Sequence, residues 1–211
     1  PIKKLFGPHC FRLSLGGIVF SVPPTSFSQV NESLLPLLLE KVRGSLAAGD
    51  RRERSARRQR LLDLYCGYGL FSHSLRDRYR EIIAIDASVD AVRAGREMLA
   101  TPAKPAGQSR VTFKTLTISR SNLASALPPP LAPGEEDVIL DPPRRGVDEA
   151  AIRAIARRRP GRVLHLFCAS EEIPRALGLW QQCGYFVRRV VPLDMFAGTP
   201  QLETLVLMSR P

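Results

Sequence analysis

The 211-residue chain has no apolar run approaching the roughly 20 residues that cross a bilayer. That argues against a helical membrane protein, and the 44% apolar content leaves a folded core as the expectation. Cysteine is sparse. Cys10, Cys66, Cys168 and Cys183 are widely spread, and none stands two to four residues from another cysteine or a histidine, as zinc and iron–sulfur ligands do. No metal is expected. A secretory leader pattern is also missing, so a reducing cytoplasm is the expected compartment, and each cysteine reads as core filler or as a reactive thiol rather than half of a disulfide. No internal repeat is present. What is abundant is positive charge: 31 Lys and Arg against 20 Asp and Glu give +11, mostly from arginine. Arginine forks onto phosphate more specifically than lysine does, so the excess suits a nucleic-acid partner as readily as it suits a basic composition without function. The length fits one sizeable domain with a small appendage.

Residues 11–22 alternate partially about Gly16-Gly17 and predict a hairpin. Residues 27–48 predict a helix that Pro36 either kinks or starts. A basic stretch, 50–60 (DRRERSARRQR), reads as a solvated connector, with RNA contact as the alternative. Strands and helices then alternate: strand 61–65, helix 70–80, strand 81–86, a helix from Ser88 to about Leu99, and strands at 111–116 and 138–140. A helix over 148–158, strand 163–167, helix 171–182 and a closing strand pair complete the pattern. It predicts an α/β fold: a mostly parallel, Rossmann-like sheet with helices on both faces and an antiparallel C-terminal edge. The chain divides accordingly into residues 1–49, the connector 50–60 and a main domain, 61–211.

In such sheets ligands bind beyond the carboxyl ends of the strands. There the sequence places Asp63-Leu64-Tyr65-Cys66-Gly67-Tyr68-Gly69, whose glycines permit a tight turn and close approach to a ligand. Asp86 ends the next strand about 20 residues on, where a carboxylate can accept both hydroxyls of a ribose. The third glycine of a dinucleotide fingerprint is missing. Turn and acid together suit S-adenosylmethionine, which needs no pyrophosphate cradle. Asp141-Pro142-Pro143-Arg144 follows another strand, and the paired prolines hold the carboxylate at the sheet rim. Methyltransferases of base amines carry an aromatic residue after a similar proline pair, and Arg144 in that position argues against amine methylation. Cys168 ends the strand VLHLF, on the same rim, and has the best claim of the four cysteines to be a nucleophile.

These segments resemble the RNA uracil-5-methyltransferases, which form 5-methyluridine in tRNA and rRNA. LGGIVFSVPPTSFSQVN, LLDLYCGYGLFS, VILDPPRRG and DMFAGTPQLETLVLM are similar, in order, to four motifs of that family. The resemblance implies S-adenosylmethionine as cofactor, tRNA or rRNA as partner, Cys168 as nucleophile and Glu203 as the base that removes the C5 proton. It further implies that Gln29, Tyr65, Gly67, Asp86 and Asp141 bind the cofactor or orient the uracil, in a fold of class I methyltransferase type; the sequence leaves the oligomeric state open, with a monomer favoured. Thiolate addition at C6 would make C5 nucleophilic, and nearby arginines would favour the thiolate. The chain departs from the family pattern at Ala169-Ser170, where Asn-Pro is usual, and at Ala197 and Gln201, where Pro and His are usual. No acid follows VTFKTL, so Thr115, Thr117, Ser119 or Asn122 is expected to face the adenine. A silent RNA-binding module of the same fold, or a methyltransferase acting on another base or a small molecule, remains the alternative.

Overall fold

The computed structural model describes residues 10–26, 31–47, 57–100 and 109–211. Gln29 and residues 50–56 of the basic stretch lie outside these described residues. The predicted hairpin is present as β1 (Phe11–Leu15) and β2 (Ile18–Val22), joined at Gly16-Gly17. After a short 3-10 turn (Glu32–Leu34), α1 runs from Leu35 to Ala47. Pro36 therefore sits in the first helical turn, where its missing N–H costs nothing, and it starts the helix rather than kinking it.

The main sheet is built from β3 (Arg58–Leu64), β4 (Tyr79–Asp86), β5 (Arg110–Thr115), β6 (Glu136–Leu140), β7 (Arg162–Phe167), β8 (Phe186–Leu193) and β9 (Glu203–Ser209). Its order is β5-β4-β3-β6-β7-β9-β8. The first five strands in that order run parallel, and β9 runs antiparallel to both β7 and β8. Among the described residues five helices accompany it: α2 (Leu70–Ser74), α3 (Val89–Ala100), α4 (Arg120–Ala126), α5 (Glu149–Arg157) and α6 (Glu172–Gln182). This is the expected α/β architecture. Because both faces are covered, successive strand residues serve opposite cores. Leu61, Ile82, Ile139 and Leu164 pack with the hairpin and α1, whereas Leu62, Ile83, Val138 and Val163 pack with α4, α5 and α6.

One predicted helix is shorter than expected, and one helix was not predicted. The helix expected over 70–80 stops at Ser74, because Tyr79 is drawn into the sheet: it pairs with Arg58, and its buried hydroxyl donates to Asp137 at 2.8 Å. The helix α4 is additional, and begins where Asn122 Oδ1 accepts the Ser119 N–H at 3.0 Å.

The end of the basic stretch is also structural. Arg57 donates to the carbonyls of Arg76 (2.7 Å) and Tyr79 (2.5 Å). Arg58 and Arg60 begin β3 within an ion network at the amino ends of five neighbouring strands. Fully buried Asp137 takes Arg58 at 2.7 Å and Arg162 at 3.0 Å. Glu136 takes Arg60 at 3.0 Å and Arg158 at 2.7 Å, while Glu81 takes Arg60 at 2.6 Å and also Arg110. Register explains the meeting, since Arg60 lies opposite both Glu81 and Glu136, and Asp137 lies opposite Arg162. Removing one member leaves a partner charge buried and uncompensated, which costs about 3–5 kcal/mol. Asp137→Ala should therefore lower stability by that amount in urea denaturation, although it lies at the end of the sheet opposite the candidate site.

Candidate active site

At the carboxyl ends of the parallel strands lies a cleft of about 660 Å³, within the usual range for small-molecule sites. It opens where β3 and β6 lie side by side and their outgoing connections part toward opposite ends of the sheet, the usual switch point for ligand binding. The turn after β3 forms one wall. Tyr65, Gly67 and Gly69 there have φ of 64°, 55° and 87°, so the turn depends on left-handed backbone that glycine adopts freely. A Cβ at Gly69 would also stand 2.5 Å from the ring of Phe113, so the position has neither space nor conformational room for a side chain. Phe20 of β2 meets Tyr68 edge-on at 5.9 Å and braces this turn from the hairpin side.

Asp86 closes the turn. Its Oδ2 accepts the Gly67 N–H and its Oδ1 the Ser88 N–H, both at 2.8 Å. Ser88 caps α3 as expected, its Oγ accepting the Ala91 N–H at 3.2 Å. Beneath the turn, fully buried Asp63 accepts from Ser72 Oγ at 2.5 Å through one oxygen, while its other oxygen has no hydrogen-bond partner among the described residues. Burial raises this carboxyl to about 7.

Across the cleft, Asp141 leaves β6 with its N–H on the Leu64 carbonyl at 3.3 Å, and Pro142-Pro143 carries the chain along the rim. Cys168 stands immediately after β7 and Glu203 at the start of β9. The antiparallel ladder pairs Phe167 with Thr204, so the next step along each strand brings Cys168 and Glu203 to one end of the sheet. Glu203 is 1% exposed, and its Oε1 has no hydrogen-bond partner among the described residues. Burial raises its carboxyl to about 7. Asp141 is pushed well above the ordinary carboxylate range by burial and then by Glu203, Asp63 and Asp86.

Tyr65, Gly67, Asp86, Asp141, Cys168 and Glu203 thus all line a single cleft. The expectation of an arginine-activated thiol is corrected. Burial, Glu203 and Asp141 push the Cys168 thiol up, and Arg144 pulls it down less. Of the four residues proposed to face an adenine, only Thr117 lines the cleft; Ser119 and Asn122 are engaged with one another at the start of α4, and Asn122 also donates to the Thr117 carbonyl at 2.6 Å. Sequence reasoning did not single out Thr25, Ile118 or Phe196, which also line it. Phe196 belongs to the quoted DMF segment, where its carbonyl accepts from Thr199 Oγ1 at 2.7 Å, so the motif itself was the available signal. Cys66 is buried in the cleft wall, and all four cysteines are free. Among the described residues no helix is long and apolar enough to cross a membrane.

No model of a known protein family matches the chain. Curated relatives do. An RNA methyltransferase of Halalkalibacterium halodurans, itself uncharacterized, is 28% identical over 208 residues, covering 97% of this chain and 41% of that protein. The tRNA (uracil(54)-C(5))-methyltransferase of Schizosaccharomyces pombe is 27% identical over 216 residues, covering 97% and 40%. The chain is a homologue of these RNA methyltransferases. It spans about two fifths of their length. In fold it matches the crystal structure of the Pyrococcus abyssi tRNA (uracil-54, C5)-methyltransferase with S-adenosyl-L-homocysteine, at TM-score 0.72 and 23% identity over 96% of this chain and 45% of that one.

The electrostatics of the pair can be measured directly. Alkylation of Cys168 by iodoacetamide should show a midpoint above that of an ordinary thiol, and Glu203→Gln should move it down by removing the larger of its two negative neighbours. Because Glu203 is raised on folding, its protonated form favours the native state, and that contribution is lost as pH rises through about 7. Glu203→Gln should then raise Tm at pH 8, by at most about 3 kcal/mol of stability, and change it little near pH 4.

Proposed function

We propose that this chain is the catalytic part of an S-adenosylmethionine-dependent RNA methyltransferase that forms 5-methyluridine in tRNA or rRNA. The catalytic domain is assigned to residues 61–211, with 1–49 as a leading hairpin-and-helix segment and 50–60 as its connection. The observation that carries the reading is the convergence on one cleft, beside Asp141, of a cysteine and a buried glutamate oxygen that has no hydrogen bond among the described residues.

The cleft suits the cofactor in size, and its turn presents backbone and the Asp86 carboxylate as a ribose-binding edge would. Each Asp86 oxygen accepts one backbone N–H and retains a lone pair for a hydroxyl. Gly67, Asp86 and Thr117 would hold its nucleoside, and Tyr65 and Asp141 would flank its reactive end. When bound, S-adenosylmethionine supplies an electrophilic methyl group.

The protein's own residues do the rest. The Cys168 thiolate forms a bond to uracil C6, and the displaced electron pair moves onto O4 as an enolate, which makes C5 nucleophilic. After C5 has gained its methyl group, Glu203 takes the C5 proton, and the electrons of that C–H bond re-form the ring double bond and expel Cys168. A carboxyl raised to about 7 is well matched to this task, because it is a stronger base than an exposed glutamate yet still ionised in much of the population at neutral pH. The raised thiol makes Cys168 mostly protonated at neutral pH, so its ionisation sets how often the first step begins. The target uridine must leave its stack to reach the cleft, at a few kcal/mol, which favours a loop. The same reading places the protein with its RNA in the cytoplasm.

The test is capture of RNA containing 5-fluorouridine, whose C5 fluorine cannot be removed as a proton. A covalent adduct stable in denaturing gels is expected with the native protein and absent with Cys168→Ala. Glu203→Gln should accumulate the same adduct on ordinary RNA while losing turnover, and the native rate should climb as pH rises through about 7. Full methylation activity in Cys168→Ala, or undiminished turnover in Glu203→Gln, would remove the proposed roles.

A further inference from the structure

The floor of the cleft is acidic and its mouth is not. Asp86, Asp141 and Glu203 line the cleft and Asp63 is buried beneath its turn, whereas Arg144 and Arg145 stand exposed on the loop between Asp141 and α5 and line the opening. Most nearby acids that could neutralise these two arginines are engaged. Asp148 caps α5, accepting the Ala150 N–H at 3.4 Å, and Glu149 pairs with Arg153 at 2.7 Å. Glu172, packed against Gly146, pairs with Arg175 at 2.5 Å. Among the described residues Arg144 and Arg145 make no hydrogen bond or ion pair, in contrast to Arg58, Arg60, Arg158 and Arg162 of the basal network. Their backbone is already ordered. Two prolines precede them, and the Gly146 N–H closes the turn onto the Pro143 carbonyl at 2.8 Å, so little backbone entropy remains to be lost on binding.

We infer that Arg144 and Arg145 form a phosphate clamp at the cleft mouth, which grips the RNA backbone beside the nucleotide whose base enters the cleft. The proposal rests on the reading of RNA as substrate. It follows from the sorting of side chains with depth: a floor lined by carboxyls offers phosphate no attraction and admits a neutral base, while two guanidinium groups at the opening, unpaired among the described residues, attract the backbone. A nucleotide is therefore oriented base inward and phosphate outward. Arginine suits the task because its planar fork takes two phosphate oxygens at once. The clamp gives attraction and orientation without sequence preference, since phosphate contacts carry no base information.

The test is the salt dependence of binding to a short single-stranded oligouridylate, measured by fluorescence anisotropy. Each phosphate contact on a single strand contributes about 0.7 to the slope of log K against log salt. Arg144→Ala and Arg145→Ala should each flatten the slope by about that much, and the double variant by about 1.4, so that the affinity lost between 50 and 200 mM salt shrinks about sevenfold. Replacing Arg188, on β8 at the far end of the sheet, should leave the slope unchanged. Weakening should be the same for oligouridylate and oligocytidylate, and the melting temperatures of the variants should match the parent. An unchanged slope in the double variant, with RNA still bound and 5-fluorouridine RNA still captured, overturns the clamp while leaving the proposed chemistry standing. Failure of the native protein both to bind the oligonucleotide and to capture 5-fluorouridine RNA overturns both.

Discussion

The candidate site depends on one antiparallel ladder. Every other strand that reaches the cleft runs parallel, so each can offer only its carboxyl-terminal residue there. The strand β9 is reversed between β7 and β8, and it brings its first residue to the rim instead. That is how Glu203 comes to lie beside Cys168 although 35 residues separate them in the chain. The register is specified by packing: Val206 and Met208 face the core of α5 and α6, and Leu205 and Leu207 the opposite one. A slip by one residue would exchange these sets and turn Glu203 away from the cleft. The hydrophobic pattern of β9 therefore holds Glu203 in position, and the ladder's pairing with β7 and β8 fixes that position on both sides.

Charge is distributed by function along the strands. At the amino ends, arginines and carboxylates meet as matched partners and neutralise one another within the protein. At the carboxyl ends, carboxylates gather without matched cations, and burial raises Asp63, Asp141 and Glu203 above their ordinary range. Such an arrangement is unfavourable for stability and suited to proton transfer, since a carboxyl that resists ionisation is a stronger base once ionised. The +11 formal charge consequently has two meanings. Part of it is consumed in holding the sheet together, and only what stays exposed and unpaired is free to meet a polyanion.

Much of the fold was legible because buried parallel strands leave short apolar runs separated by amphipathic helices, and the site residues fall directly after those runs. The hairpin, the order of strands and helices, the Ser88 cap and the gathering of Tyr65, Gly67, Asp86, Asp141, Cys168 and Glu203 followed from that pattern and the family motifs. Local pattern failed where a distant partner intervened. Tyr79 reads as a helical residue until Asp137, 58 residues away, takes its hydroxyl and pulls it into β4. Ser119 and Asn122 read as ligand-facing until they are found binding each other at the start of α4. Arg58 and Arg60 read as a solvated connector until β4 and β6 present Glu81, Glu136 and Asp137 to them.

The order of apolar runs, turn glycines and rim residues determined by itself that this is an α/β protein with a cleft at the ends of its strands, and that Tyr65, Gly67, Asp86, Asp141 and Cys168 would stand at those ends. These properties are local: strand period, glycine's tolerance of left-handed backbone and proline's rigidity act within a few residues. The tertiary structure alone decided how those residues behave. Whether the Cys168 thiol is eased or hindered in ionising depends on burial and on the charges of Asp141, Glu203 and Arg144, which different strands and loops bring to it. Whether an arginine is a structural partner or a free cation depends likewise on the acids that the fold places beside it. Burial and electrostatic fields are summed over everything nearby in space, and the linear chain does not say what that will be.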